Sequence, residues 1–109
     1  MSTLLKDPTP DQSGGRTCAD PLLLFEDGKT RITKYVIEPG EQTGWHIHED
    51  DYVVLYQSAG ELTSHFADGT SAVFTYEPGG ASAYSAPVEH NAVNTGDVTV
   101  WGFEIEYKR

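Results

Sequence analysis

Apolar and polar residues along this chain either alternate with a period of two or gather in short apolar runs. No stretch keeps the helical period long enough to make an amphipathic helix. Segments 22–25, 30–37, 43–48, 52–56, 61–66, 71–76, 81–85, 90–94 and 98–107 are β-branched, aromatic or alternating. Turn signals part them: Glu26-Asp27-Gly28, Pro39-Gly40, Ala67-Asp68-Gly69-Thr70 and Pro78-Gly79-Gly80. Segments 61–66 and 71–76 read as a hairpin. About eight to ten short strands and no helix predict an all-β sandwich or small barrel. The last segment splits into two sets. Thr99, Trp101, Phe103, Ile105 and Tyr107 are almost wholly apolar, so this set is expected to face a core or a partner sheet. Val98, Val100, Gly102, Glu104 and Glu106 form the other.

The first residues break this pattern. Residues 7–15 are dense in Pro, Gly, Asp and Ser, so 1–20 is expected to be a flexible arm, followed by one domain over 21–109. The chain has 109 residues, too few for two self-sufficient cores. It contains one cysteine, Cys18, so no internal disulfide can staple it. No apolar run is long enough to span a membrane, and 1–15 lacks the apolar heart of a signal peptide; a cytoplasmic address is expected.

Charge narrows the partners. Asp+Glu number 17 against 7 Lys+Arg, a formal net charge of -10. Between residues 35 and 107 there is no Lys or Arg, but there are 12 Asp/Glu. Such a chain repels phosphate backbones and anionic lipid, so neither nucleic acid nor a membrane surface is an expected partner. It also lacks the cationic clamps and Gly-rich loops of most phosphate sites.

The four histidines carry the candidate chemistry: His46, His48, His65 and His90. His46 and His48 flank Ile47 on a predicted strand, where side chains at i and i+2 share a face about 6–7 Å apart. Two imidazoles so placed can converge on one metal ion, given a third ligand from elsewhere. His-x-His is also a common pair on a solvated strand, and spacing alone leaves both readings open.

The surroundings shift the weight toward a metal. Pro39-Gly40, five residues, then His46-Ile47-His48, with Gly60 downstream, resembles the first motif of the cupin family. His90, three residues, then Asn94 resembles the end of its second motif. The resemblance covers about residues 28–107 and implies an all-β double-stranded β-helix, a jelly-roll barrel with a metal inside. It implies His46, His48 and His90 as ligands of one divalent ion per chain, with Fe, Mn, Ni, Cu or Zn all suited to imidazole. The motif's ligand glutamate is absent. Its place falls on Tyr52 or Val53, and Asp50 and Asp51 stand just before, in an expected turn. The proline ahead of the second motif's histidine is also displaced: Ser85 stands in its place and Pro87 comes later.

A three-His centre keeps more positive charge than one with a carboxylate, and it has open positions for an anionic or enolic ligand. Three-His cupins include non-haem iron dioxygenases. The resemblance therefore implies a small-molecule enzyme, a dioxygenase first and a lyase or isomerase next. A non-catalytic small-molecule-binding module and a purely structural barrel are the alternatives. Tyr52 is a candidate catalytic group beside the metal, and Tyr84 and Arg31 are candidate substrate contacts. His65 is expected to face solvent, Glu89 to point away from His90, and Asn94 to make turn hydrogen bonds. Trp45, next to His46, should point out of the barrel. With the apolar set of the last strand it suggests a homodimer surface, to which 22–25 could add a strand.

Overall fold

The computed structural model describes the backbone of Ser2–Leu4 and residues 18–108. Ten strands occupy them: β1 (Ser2–Leu4), β2 (Leu22–Glu26), β3 (Thr30–Ile37), β4 (His46–His48), β5 (Asp51–Tyr56), β6 (Gly60–Phe66), β7 (Ser71–Tyr76), β8 (Ala81–Tyr84), β9 (Val88–Asn94) and β10 (Val100–Tyr107). They form two five-stranded sheets, ordered β1-β4-β9-β6-β7 and β2-β3-β10-β5-β8. Every pairing between the strands is antiparallel. The expected hairpin is β6–β7. None of the described residues forms a helix long and apolar enough to cross a membrane. Most of the expected arm lies outside the described residues. Within it, Ser2–Leu4 pair with β4 and Cys18 bridges Gln42.

The two sheets face each other across a cavity of about 380 Å³, lined by inward side chains of both. The alternation of each strand decides which residues those are. On β3 they are Arg31, Thr33, Tyr35 and Ile37; on β5, Tyr52 and Val54; on β9, Val88, His90 and Ala92. One end of the sandwich is closed by an apolar cluster of Ile37, Leu62, Tyr76, Ala92 and Val100. Gly60 abuts it at φ 147°, and a Cβ there would collide with Val100. Asn94 ties this end together. Its Nδ2 donates to the carbonyls of Ile37 and Val98, both at 2.8 Å, and its Oδ1 accepts from Gly96 N at 3.0 Å.

Of the two surfaces that the pattern of the last strand allowed for its apolar set, a core or a partner sheet, the structure rules out the core. The inward set is Val100, Gly102, Glu104 and Glu106, not the apolar one: Val100 is 0% exposed and Glu106 1%. Register imposes this, because β10 sits between β3 and β5, with Val100 opposite Ile37 and Glu106 opposite both Arg31 and Tyr52. Trp101, Phe103 and Ile105 therefore lie half-buried on the outer face, with Lys34 Nζ 5.1 Å from the Trp101 ring. The edge strand β2 is exposed along its whole length.

Candidate metal centre

Two rows of paired residues build the other end of the cavity. Arg31, Glu106, Tyr52 and Tyr84 stand side by side across one sheet. His46, His90 and Phe66 do so across the other. His48 lies two residues along β4 from His46 and so shares its face.

The structure brings the three motif histidines together. His46 Nε2 lies 2.8 Å from His48 Nε2, and His90 Nε2 lies 3.3 Å from it. Nitrogens about 2.0–2.1 Å from a shared ion stand roughly 3 Å apart when they occupy adjacent coordination positions, so these spacings suit a metal. The opposite ring atoms explain the orientation. His46 Nδ1 donates to the Gly44 carbonyl at 2.8 Å, and His90 Nδ1 lies 3.2 Å from Ser64 Oγ. A proton on each Nδ1 leaves each Nε2 lone pair aimed at the centre. Both rings are held neutral. Burial, then the neighbouring His48, pulls His46 down to about 4. Burial, then His46 and His48, pulls His90 down to about 2.

The loop ahead of β4 is pinned to β9. Gly44 N donates to Asn91 Oδ1 at 2.9 Å, and Asn91 Nδ2 donates to Gln42 Oε1 at 2.7 Å. Thr43 Oγ1 accepts from Ala92 N at 3.0 Å. The His-x-His strand and the His90 strand are therefore fixed to each other beside the ligand atoms.

Strand alternation settles the ambiguity over the missing glutamate. Tyr52 is inward and Val53 is not, so Tyr52 holds the place. Its ring stacks on His48 with centroids 4.0 Å apart, and Tyr84 stacks on Tyr52 at 5.1 Å. Burial raises both phenols above their ordinary range, so both keep their protons. Asp51 opens β5 instead of lying in a turn, and its Oδ1 accepts from Ala86 N at 2.8 Å. Neither Asp50 nor Asp51 lines the cavity. Arg31 does line it, while its Nη2 donates to Glu26 Oε2 at 3.0 Å. His65 and Glu89 are exposed, and Trp45 is half-buried outside the cavity lining.

Two acidic residues join the site that the pattern did not single out. Glu104 Oε1 lies 4.0 Å from His48 Nδ1, and Glu106 Oε2 lies 3.7 Å from it. His48, Glu104 and Glu106 form a second group of possible ligand atoms beside the three histidines. Burial pushes the Glu104 carboxyl up, against the pull of His48 and with the push of Glu106. The signal is present in the sequence, since Glu104 and Glu106 share the parity, and so the face, of Val100. The richer apolar content of the opposite set outweighed it.

Comparison with known proteins agrees with this geometry. No family model matches the chain. A curated relative, the beta-alanine degradation protein BauB of Pseudomonas aeruginosa, is 32% identical over 94 residues, covering 86% of this chain and 98% of its own. The crystal structure of a cupin domain from Bordetella pertussis is also 32% identical, with a TM-score of 0.80, over 86% of this chain and 97% of that one. An RmlC-like cupin with a double-stranded β-helix fold from Methanocaldococcus jannaschii, 17% identical, overlays at a TM-score of 0.69, covering 86% of this chain and 84% of its own. With 32% identity to the Bordetella pertussis cupin domain over 97% of its length, this chain belongs to the cupin superfamily and is a small cupin.

Proposed function

We propose that this chain is a metal-dependent enzyme acting on a small organic molecule, with His46, His48 and His90 as the ligands of one divalent ion. The observation that carries the reading is the convergence of three Nε2 atoms, 2.8 and 3.3 Å apart, with His46 and His90 lining the cavity and His48 buried beside it. A bound divalent ion would supply Lewis acidity and open positions for an anionic oxygen or thiol ligand, and iron would add dioxygen chemistry. Dioxygenation is the favoured reaction class, with lyase or isomerase chemistry next.

The chain's own residues shape what enters. Tyr52 and Tyr84 give a stacked aromatic wall whose protonated hydroxyls can donate to a substrate oxygen. Phe66, stacked at 6.1 Å from His90, adds an apolar ring beside that ligand in the cavity lining. Arg31, opposite Glu106 in the register, is the cation lining the cavity and can meet an anionic end of the substrate. The relative's name links that protein to β-alanine degradation, which makes small carboxylic acids the first class to test. A homodimer through the outer face of Trp101, Phe103 and Ile105 completes the proposal.

The test is metal analysis followed by turnover. Purified protein should hold about one divalent ion per chain. His46→Ala and His90→Ala should lose it while keeping the far-ultraviolet spectrum of the barrel. Full metal loading of both variants would sink the reading. Oxygen uptake with Fe(II) against β-diketones, thiols, catechols and β-alanine then tests the dioxygenase reading, and product formation without oxygen uptake would favour a lyase or isomerase over a binding module. Metal removal should also abolish binding of anionic ligands; binding that persists would assign it to Arg31.

A further inference from the structure

The three histidines are not held alike. His46 and His90 each offer Nδ1 to a neutral oxygen, the Gly44 carbonyl at 2.8 Å and Ser64 Oγ at 3.2 Å. His48 Nδ1 is fully buried and makes no hydrogen bond among the described residues. The atom facing it is Glu106 Oε2 at 3.7 Å, and both Glu106 oxygens are likewise buried without a hydrogen-bond partner. A buried donor position and a buried acceptor thus confront each other, just beyond bonding distance. A small side-chain rotation, or one bridging water, would satisfy both groups.

Charge gives this pairing a purpose. Tyr52 occupies the position where the family's motif has a ligand carboxylate, so three neutral imidazoles would leave the full charge of a divalent ion uncompensated in a buried cavity. Glu106 stands opposite Tyr52 in the register, on β10, and Glu104 lies two residues before it on the same face. The carboxylates nearest the His48 ring thus come from the other sheet, Glu106 at 3.7 Å and Glu104 at 4.0 Å.

We propose that Glu106, with Glu104 beside it, is the positioning carboxylate of His48. It holds the proton on Nδ1, keeps Nε2 facing the ion, and supplies behind the imidazole the negative charge that the missing ligand would have brought. The proposal rests on the three-His metal reading and adds the residues that tune it. Carboxylate partners of metal-bound histidines raise ligand basicity, and losing one typically costs about 10–100-fold in metal affinity.

The experiment is calorimetric titration of the apo full-length chain with Zn(II), for wild type, Glu106→Gln, Glu104→Gln and His48→Ala. Glu106→Gln should lose about 10–100-fold in affinity, Glu104→Gln less, and His48→Ala more than either. Histidine-detected ¹⁵N NMR on the zinc-loaded protein gives a readout that a merely structural role would not move. A His48 Nδ1 proton should appear far downfield in wild type and shift upfield in Glu106→Gln, with the His46 and His90 signals unmoved. Zinc affinity within twofold of wild type in Glu106→Gln, while His48→Ala loses the metal, overturns the positioning role and leaves the metal reading standing. An unprotonated His48 Nδ1 in wild type overturns it too, without any variant having to fold. Wild-type affinity in His48→Ala would overturn the metal reading and this proposal with it.

Discussion

The two ends of the sandwich share strands β3, β9 and β10 but obey different rules. At one end Ile37, Leu62, Tyr76, Ala92 and Val100 meet as a closed apolar cluster. Six residues further along β10, roughly 20 Å away, the inward residue is Glu106. There the neighbours are Arg31, Tyr52 and the histidines. The apolar end gains from every buried methylene. The polar end buries imidazoles and carboxylates whose cost is recovered only when they pair with one another or with an ion. One end holds the sheets together, and the other spends part of that stability on a site.

The largest expected effect separates the two ends by pH. In the metal-free protein His46 titrates at about 4 and His90 at about 2, both below the ordinary 6.5. As pH falls below 6.5 the unfolded chain takes up protons that the folded chain refuses, so stability is lost. Between pH 7 and 5 each histidine should contribute a loss of about 2 kcal/mol, read by urea denaturation. The raised Glu104 carboxyl binds its proton more readily in the folded state and opposes the loss, so Glu104→Gln should steepen the fall. Stability that stays flat from pH 7 to 5 would show that the histidines are not buried as described.

Next in size is Leu62→Ala at the apolar end. It should cost about 3 kcal/mol at pH 7 while leaving zinc affinity within a factor of two. A large drop in zinc affinity would mean that the two ends are coupled after all. The smallest effect on the folded chain should come from Phe103→Glu on the outer face, within about 0.5 kcal/mol in the protomer. Its consequence should be assembly: wild type sediments as a dimer and the variant as a monomer. A wild-type monomer at 100 µM, a concentration chosen for the test, would remove the dimer from the proposal.

Much of this was legible beforehand because the chain's local preferences agree with its fold. The turn signals bound the strands. His-x-His on a strand puts two imidazoles on one face wherever that strand pairs. His90, with three residues between it and Asn94, stands out by motif. Ser64 and Glu106 did not, because each acts through a neighbour that sequence distance conceals. Ser64 reaches His90 across 26 positions, and Glu106 meets His48 from the opposite sheet.

The sequence by itself determined an all-β chain, the facing of His46 with His48, and a stretch from 35 to 107, carrying all three site histidines, that is free of Lys and Arg. Period-two alternation, however, offers two faces for every strand and does not say which is inside. That choice was tertiary. Placing β10 between β3 and β5, with Val100 against Ile37, turned the glutamates inward and the aromatic set outward. It also put Tyr52, not Val53, against His48. The physical reason is that burial of a carboxylate is unfavourable alone and tolerable beside a histidine cluster. That partner exists only once two sheets from distant parts of the chain have closed on each other.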